Sequence, residues 1–468
     1  FKANATKYDF EKCYKILSNT YLESFEKKFN LPTKYDFLEM YDCEDIESLN
    51  IIGRWNNNTT EKSLSVPIGI DEDGQIFNLN LHENSHGPHG LVAGMTGSGK
   101  SELLITYILS LAVNYSPEEV QFVLIDYKGG GLANTFYNSN IGMVLPHVVG
   151  IITNIDENEI NRSLISLKSE IKRRQKIFAE VSKKYNEGNI DIYKYEHLYN
   201  MNNDIERLSH LIIISDEFAE LKAKNPEFIT ELISISRIGR SLGIHLILST
   251  QKPSGVVDDQ IWSNSRFRIC LKVQDKSDSN DMLKNSNAAM IKEPGRFYIQ
   301  VGYNELFLKA QSAYSQNEYI KKDTNENTYE TLNFINEYGT IYASNSSINK
   351  KTGIGQGKIV NNIVKRIIEY AKENNISVKG LWRTLIGSKI YRNELIQKYN
   401  IKKTDTINCF FGEYDAPDKQ EKGTVNLELL KEGNTIIYGQ IDSGQELILQ
   451  TLTYDLIERY SPDEINIY

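Results

Sequence analysis

The sequence predicts an α/β fold in which a mostly parallel central sheet is flanked by helices. Three observations carry that prediction. Gly94–Ser101 reads Gly-Met-Thr-Gly-Ser-Gly-Lys-Ser, a complete G-x-x-x-x-G-K-S loop, set between the apolar run Gly90–Ala93 and a stretch of helical spacing from Glu102 to Val113. Leu211-Ile212-Ile213-Ile214-Ser215 is a near-continuous apolar run that ends on two carboxylates, Asp216 and Glu217, as a parallel strand buried on both faces does. Elsewhere in the same region short apolar runs alternate with amphipathic helical segments, which is the order a parallel sheet with crossover helices requires.

The elements follow in order. Residues 1–60 are expected to be an N-terminal helical linker region, polar and rich in Tyr and Glu, with helical spacing at Tyr14, Ile16, Leu17, Tyr21 and Leu22 and a linker at Leu31-Pro32-Thr33. Residues 61–335 form the first module. Ser63 to Leu81 alternates apolar and polar residues around Asp71-Glu72-Asp73-Gly74, a hairpin pattern. From His86 onward the spacing predicts strands over Val120–Ile125, Val148–Ile152 and Ile244–Ser249, and a late pair over Phe297–Val301 and Leu306–Ala310. Helices are predicted from Ile155 to about Val181 and from Phe228 to Leu242, and the polar, Asn-rich stretch Lys184–Arg207 reads as a surface insertion. Residues 336–400 read as a linker and 401–468 as the start of a second module.

That second module is visible as a repeat. Gly439-Gln-Ile-Asp-Ser-Gly444-Gln445-Glu446 stands at the same offset from Gly94–Ser101 as Tyr460-Ser461-Pro462-Asp463-Glu464 does from Tyr115-Ser116-Pro117-Glu118-Glu119. In the second copy Gln445 replaces the lysine and Glu446 the hydroxyl, so the cation is lost and a repulsive charge is added. The chain ends at Tyr468, within what is expected to be that module's next strand, and with Phe1 at its start it is expected to be a fragment or a processed form.

The composition narrows the class. The chain has 468 residues, 40% hydrophobic and 25% charged, which suits two or three globular domains. No apolar run in this sequence reaches the length of a membrane span, and none of it reads as a signal peptide. A net charge of −9 argues against broad non-specific nucleic-acid binding, although a local basic channel stays open. The four cysteines, Cys13, Cys43, Cys270 and Cys409, form no C-x-x-C pair and read as reduced thiols rather than zinc ligands.

The first loop's chemistry is explicit. Glycines let backbone N–H groups turn inward around phosphates, and the helix N-terminus adds positive potential. Gly94, Met95, Thr96, Gly97, Ser98, Gly99, Lys100, Ser101 and Glu102 are therefore the nucleotide-binding set. Lys100 reaches the β- and γ-phosphates; Ser101 and Asp216 are the Mg²⁺ candidates; Glu217 orients and polarises the attacking water. A Gly-rich turn with a chance lysine and a solvated acidic turn are the bland alternatives. The flanking strand and helix, and the conjunction of both motifs, weigh against them. ATP or GTP binding with hydrolysis is the expectation. Gln251, after its strand, reads either as a γ-phosphate sensor or as a polar residue bonding a loop. Lys128 and Gly129–Gly131 fit equally a loop near the nucleotide or pore and a plain turn. His86 and His89, around Pro88, are expected to be structural or to line the base, not to bind metal; His245 is expected in the core. Arg162, Arg237, Arg240, Arg266 and Arg268 are candidates for an arginine acting in a neighbour's site, against the ordinary reading of surface salt bridges. Lys172-Arg173-Arg174 reads as a solvated face or a basic helix end.

These residues resemble a known family. Glu83–Glu102 is similar to the first complete cytoplasmic ATPase module of EssC/EccC, the motors of type VII secretion. Asp126-Tyr127-Lys128-Gly129-Gly130-Gly131 resembles that family's second signature. Asp216-Glu217-Phe218 and the run from Arg240 through His245, Thr250 and Gln251 to Pro253 resemble the wider FtsK/SpoIIIE superfamily. The resemblance covers roughly residues 50 to 320 and extends into 434–468. It implies a RecA-like fold, ATP with Mg²⁺, hexameric assembly, small helical WXG-type secreted substrates, contact with other membrane components of the system, and a cytoplasmic position in a membrane protein whose spans precede this region. It also makes the sensor role of Gln251 the favoured one. Because it extends through Asn161-Arg162-Ser163-Leu164, Arg162 is preferred over Arg240 as the arginine supplied in trans. An FtsK-type DNA translocase is the alternative. The His-Gly-Pro-His-Gly and Asp-Tyr-Lys-Gly-Gly-Gly signatures, the degenerate tandem module and the acidic charge favour secretion.

Overall fold

The apolar runs read above become the strands of one eleven-stranded sheet. In this computed structural model the described residues are 10–12, 14 and 30–468, apart from 127–130, 139–141, 154–156, 203, 304, 321–331, 336–340, 346–356, 382–385, 388, 402–405, 420 and 441–442. The strands are β1 (Tyr35–Asp36), β2 (Ser65–Asp71), β3 (Ile76–Asn80), β4 (Gly90–Ala93), β5 (Val120–Asp126), β6 (Val148–Ile152), β7 (His210–Asp216), β8 (Ile244–Thr250), β9 (Phe267–Leu271), β10 (Arg296–Val301) and β11 (Leu306–Tyr314). Their order is β3–β2–β11–β10–β9–β4–β8–β7–β5–β6, with β1 beside β11. The run from β9 to β6 is parallel throughout, while β10, β11, β2 and β3 continue the sheet antiparallel.

The helices lie on both faces. The principal ones are α1 (Lys100–Asn114), α2 (Glu157–Tyr185), α3 (Ile192–Asn202), α4 (Pro226–Gly239) and α5 (Ile359–Glu373). Strand residues alternate between two hydrophobic clusters. Val92, Phe122, Leu124, Ile212, Ile214 and Ile247 join α1 and α5 on one face. Leu91, Val123, Ile125, Ile213, Leu246 and Leu248 join α2 and α4 on the other. That double burial is why these strands read as unbroken apolar runs rather than alternating ones.

Three stretches differ from the sequence reading. Within Lys184–Arg207 the chain forms α3, which buries Ile192, Tyr195 and Glu196. Within 336–400, read as a linker, α5 places Ile359, Val360, Ile363, Val364 and Ile367 in the first cluster, so this helix packs into the core of the main sheet. Residues 30–57 also join that core, through Phe37, Leu49, Ile51 and Trp55, whose indole donates to the Ala112 carbonyl at 3.0 Å. The helical spacing expected at Ile16, Leu17, Tyr21 and Leu22, and residues Tyr127–Gly130 of the second signature, lie outside the described residues.

The residues read above as the start of a second module form the hairpin β12 (Asn408–Ala416) and β13 (Glu421–Glu428) and the helix α6 (Gln445–Arg459). They copy the first module in detail. Gly444 precedes α6 at φ +96°, as Gly99 precedes α1 at φ +92°. Both helices end on a tyrosine, Tyr460 or Tyr115, whose N–H caps the last turn. The Tyr460 hydroxyl donates to the Thr406 carbonyl at 3.0 Å, as that of Tyr115 donates to Ser63 at 2.8 Å.

Candidate nucleotide site

The site sits at the carboxyl ends of three adjacent parallel strands. β4 leads into the loop Gly94–Ser101, β7 ends on Asp216, and β8, lying between them, ends at Thr250. The loop is pinned from below: Gly94 N donates to Thr250 O at 3.2 Å and Met95 N to Lys272 O at 2.8 Å. Gly97 and Gly99 have φ +78° and +92°, a region that only glycine enters without strain. At Gly99 a Cβ would also meet Gly295 N at 2.6 Å, so no side chain fits there on either count.

The Lys100 cation is paired within the site. Lys100 Nζ pairs with the Asp216 carboxylate and donates to Ser249 Oγ at 2.8 Å; the lysine and aspartate side chains are 6% and 12% exposed. Ser101 Oγ donates to the other Asp216 oxygen at 3.2 Å. The predicted metal pair therefore lies in direct contact, and its hard oxygen donors suit Mg²⁺. Glu217 takes a left-handed backbone, φ +64°, unusual for a residue with a side chain. Its Oε1 accepts from Thr250 Oγ1 at 3.0 Å and Gln251 N at 3.3 Å. Gln251 Oε1 accepts from Thr96 Oγ1 at 3.0 Å, which ties the sensor candidate to the phosphate loop. Glu102 follows in the first turn of α1 and bonds Gln316.

Two polar residues were not singled out from the sequence. Ser249 bonds both Lys100 and Asp216, and Thr250 holds Glu217. The signal was the hydroxyl pair interrupting an apolar strand just before Gln251; Ser and Thr on a buried strand need partners, and here the partners are the reacting groups.

The arginine candidates are scattered. Arg162, on α2, is 11% exposed and paired at 2.6 Å with Asp415 of the second-module hairpin; nearby, Ser169 Oγ bonds the Asp418 carbonyl. Arg240 is 57% exposed and pairs with Glu83 at 3.0 Å. Arg237, Arg240, Arg266 and Arg268 line a cleft of about 1010 Å³ with Trp262 and Phe307, bounded by residues preceding β4 and β9, at the end of the parallel strands opposite the P-loop. Arg174 is a buried structural residue, bonded to Glu170 and the Leu242 carbonyl.

The histidines serve the core. His86 Nδ1 accepts from Asn80 N at 3.2 Å, and His89 Nδ1 from Leu246 N at 3.0 Å. His245 bonds the Pro88 carbonyl at 3.0 Å and His210 at 2.8 Å. Burial, reinforced by the neighbouring His245, holds His89 down to about 3. His210 Nε2 lies 3.1 Å from Glu196, but burial lowers the histidine to about 3 and raises the glutamate to about 8, so the contact is between neutral groups rather than an ion pair.

In the second copy the residue at the lysine position bonds its own loop. Gln445 donates to the Gln440 carbonyl at 2.7 Å and accepts from Ser443 at 3.0 Å. Glu446 is exposed at the position where Ser101 stands in the first copy.

A phosphate loop, an acid-tipped strand one removed from it and a polar-ended strand between them define a P-loop ATPase, and residues 50–255 match the FtsK/SpoIIIE family. The chain is a homologue of the EssC and EccC proteins. It is 42% identical over 448 residues to the type VII secretion system protein EssC of Staphylococcus aureus (strain NCTC 8325 / PS 47), covering 94% of this chain and 29% of the relative. To the ESX secretion system protein EccC of Geobacillus thermodenitrificans (strain NG80-2) it is 41% identical over 444 residues, with the same coverage. The chain thus spans less than a third of the length of these relatives. Among solved structures, the cytoplasmic domain of the Thermomonospora curvata type VII secretion ATPase EccC superposes with a TM-score of 0.70 at 24% identity, covering 90% of this chain and 46% of that one. EssC ATPases 2 and 3 from Geobacillus thermodenitrificans give 0.63 at 19%, covering 92% and 68%. Both likenesses concern the fold. No helix among the described residues is long and apolar enough to cross a membrane.

Proposed function

We propose that this chain is a motor segment of a type VII secretion system, coupling ATP hydrolysis to export of small helical WXG-type proteins from the cytoplasmic side of the membrane. The observation that carries this is the assembled set Lys100, Ser101, Asp216 and Glu217 in a chain homologous to EssC over nearly its whole length. In the mechanism, Lys100 leaves Asp216 for the β- and γ-phosphates. Ser101 and Asp216 would hold Mg²⁺, which when bound would supply charge neutralisation on those phosphates. Glu217 orients a water for in-line attack on the γ-phosphorus and takes its proton as the bond to the β–γ bridging oxygen breaks, leaving ADP and phosphate. Gln251, through Thr96, reports whether the γ-phosphate is present.

The motor acts as a hexamer alongside other membrane components of the system, and a neighbour's arginine completes each site. Arg162 and Arg240 are the candidates. Arg240 is exposed and paired with Glu83, whereas Arg162 must first part from Asp415. In a forced ring, Lys100→Ala chains with intact arginines should rescue chains lacking the true finger but carrying Lys100. An Arg162→Ala ring and an Arg240→Ala ring that both hydrolyse at the parental rate would refute both assignments. The DNA-translocase alternative is separated by stimulation. Duplex DNA should leave ATPase activity nearly unchanged at physiological salt, as the acidic chain implies; strong, length-dependent stimulation would overturn the secretion reading.

A further inference from the structure

Consecutive residues at the end of β8 hold different working parts of the site. Ser249 Oγ bonds Lys100 Nζ at 2.8 Å and Asp216 at 3.2 Å. Thr250 Oγ1 donates to Glu217 Oε1 at 3.0 Å. Gln251 Oε1 accepts from Thr96 of the phosphate loop at 3.0 Å, and its N–H donates to Glu217 Oε1 at 3.3 Å. The sheet dictates that assignment. β8 runs parallel to β7 in a register that sets Leu248 opposite Ser215, so the next residues along bring Ser249 to Asp216 and Thr250 to Glu217. Side chains alternate in direction along a strand, which is why the two hydroxyls serve different carboxylates.

Thr250 is 1% exposed, so its hydroxyl has no recourse to bulk water. Its oxygen accepts from Lys252 N at 3.3 Å, and its single hydrogen has two acceptors in reach: Glu217 Oε1 at 3.0 Å and the Lys252 carbonyl at 3.3 Å. The carboxylate is nearer and is the stronger partner, roughly twice as strong as a neutral carbonyl. The hydrogen therefore stays on Glu217. A glutamate side chain is flexible, and here it springs from a backbone at φ +64°, a conformation that persists only where the surroundings fix it. Thr250 and the Gln251 N–H supply that fixing from one strand end.

We infer that Thr250 is a positioning residue for hydrolysis: its hydroxyl sets the direction of the Glu217 carboxylate, and so the line along which the attacking water is presented to the γ-phosphorus. The inference rests on the reading of Glu217 as the water-orienting group and names what aims it. Thr250 acts through Glu217 alone and takes no proton.

The test compares variants of the full chain by steady-state phosphate release and by calorimetry with Mg-ATP. Thr250→Val keeps the branched shape and removes the hydroxyl; Thr250→Ser keeps the hydroxyl and removes the methyl; Thr250→Ala removes both. Thr250→Val and Thr250→Ala should each lower kcat roughly 10- to 100-fold, the scale on which a misaimed group costs rate, with KM and ATP affinity within about twofold of the parent. Thr250→Ser should turn over close to the parental rate. A hydroxyl-free variant with the parental kcat overturns the inference, and so does one that loses ATP affinity in step with kcat. Serine slower than valine would assign the effect to packing of the methyl, and loss of folding in both hydroxyl-free variants, read by melting, would make the hydroxyl a stability element; either result overturns the positioning role. Turnover that is lost in Glu217→Gln but kept in Thr250→Val sinks the inference alone. A parent that binds Mg-ATP and releases no phosphate overturns the hydrolysis reading, and the inference with it.

Discussion

The buried Lys100–Asp216 pair is a stability element of the fold, and Asp216→Asn tests that. The substitution removes the counter-charge from a lysine that is 6% exposed while keeping the side chain's size. Breaking a buried pair by removing one partner costs roughly 3–5 kcal/mol; asparagine still offers an acceptor and Ser249 still accepts, so the lower end, about 3 kcal/mol, applies. At roughly 2–4 °C per kcal/mol for a module of this size, the melting temperature should fall by about 6–12 °C. Tripolyphosphate in EDTA should then stabilise Asp216→Asn more than the parent, because the phosphates replace the missing anion and no longer face Asp216. A second change separates charge from packing. Lys100→Met in the Asp216→Asn background should recover much of the loss, since a buried pair replaced by apolar or neutral groups is near neutral. An Asp216→Asn protein that melts with the parent, or equal polyphosphate shifts in the two, would refute the reasoning.

Other predictions follow from the same geometry. Lys100→Ala should abolish tight Mg-ATP binding in calorimetry, whereas Glu217→Gln should bind ATP and fail to turn it over; equal affinity for parent and Lys100→Ala sinks the site. Thermal stability should peak at about pH 6.5–7. Burial holds His89 and His210 at about 3 and His147 at about 4, so their contribution is present above the unfolded value of 6.5 and is lost on acidification. Burial raises Glu119 to about 7 and Glu196 to about 8, so theirs is complete below 4.5 and is lost as pH rises through those values. Glu196→Gln should flatten the alkaline limb, and a melting temperature climbing steadily from pH 6 to 9 would contradict the assignment. Nucleotide stoichiometry should be one per chain and vanish with Lys100→Ala; a second equivalent surviving that change would show that Gln445 and Glu446 do not disable their loop.

What could be read in advance was whatever is local. The loop Gly94–Ser101, the run Leu211–Asp216 and the strand Ile244–Ser249 each carry their pattern within a dozen residues, and each took the place expected of it. The sheet partners of these strands come from far along the chain, yet their apolar runs already imply burial on two faces. Two elements were obscured by composition. In α3 the inward residues include a tyrosine and a glutamate, which a polarity count assigns to solvent, although Glu196 is buried and bonded to Thr60. In α5 the apolar positions Ile359, Val360, Ile363, Val364 and Ile367 recur at helical spacing, but the helix docks on a core assembled from residues far upstream, and nothing local shows that destination. The same holds for Ser249, 149 residues from the lysine it bonds. Arg162 illustrates the limit from the other side: its helix was foreseen, its pairing with Asp415 was not.

The two loops of this chain separate shape from chemistry. Gly99 and Gly444 adopt nearly the same left-handed conformation, start helices of the same length and lead to the same tyrosine cap, so the second copy keeps the glycine-to-helix junction of the first. What it lacks is Lys100 and Ser101. Backbone N–H groups and a helix N-terminus alone give an anion site worth tenths of a kcal/mol to about 1 kcal/mol, and Glu446 places a like charge beside it. The preserved fold therefore answers to packing rather than to catalysis. Asp455, fully buried between Arg392 and Arg459, binds α6 to its hairpin through the Phe410 N–H. Such a module can keep its form without a lysine and a hydroxyl at positions 445 and 446, because the contacts of Asp455 that tie α6 to its hairpin involve neither residue.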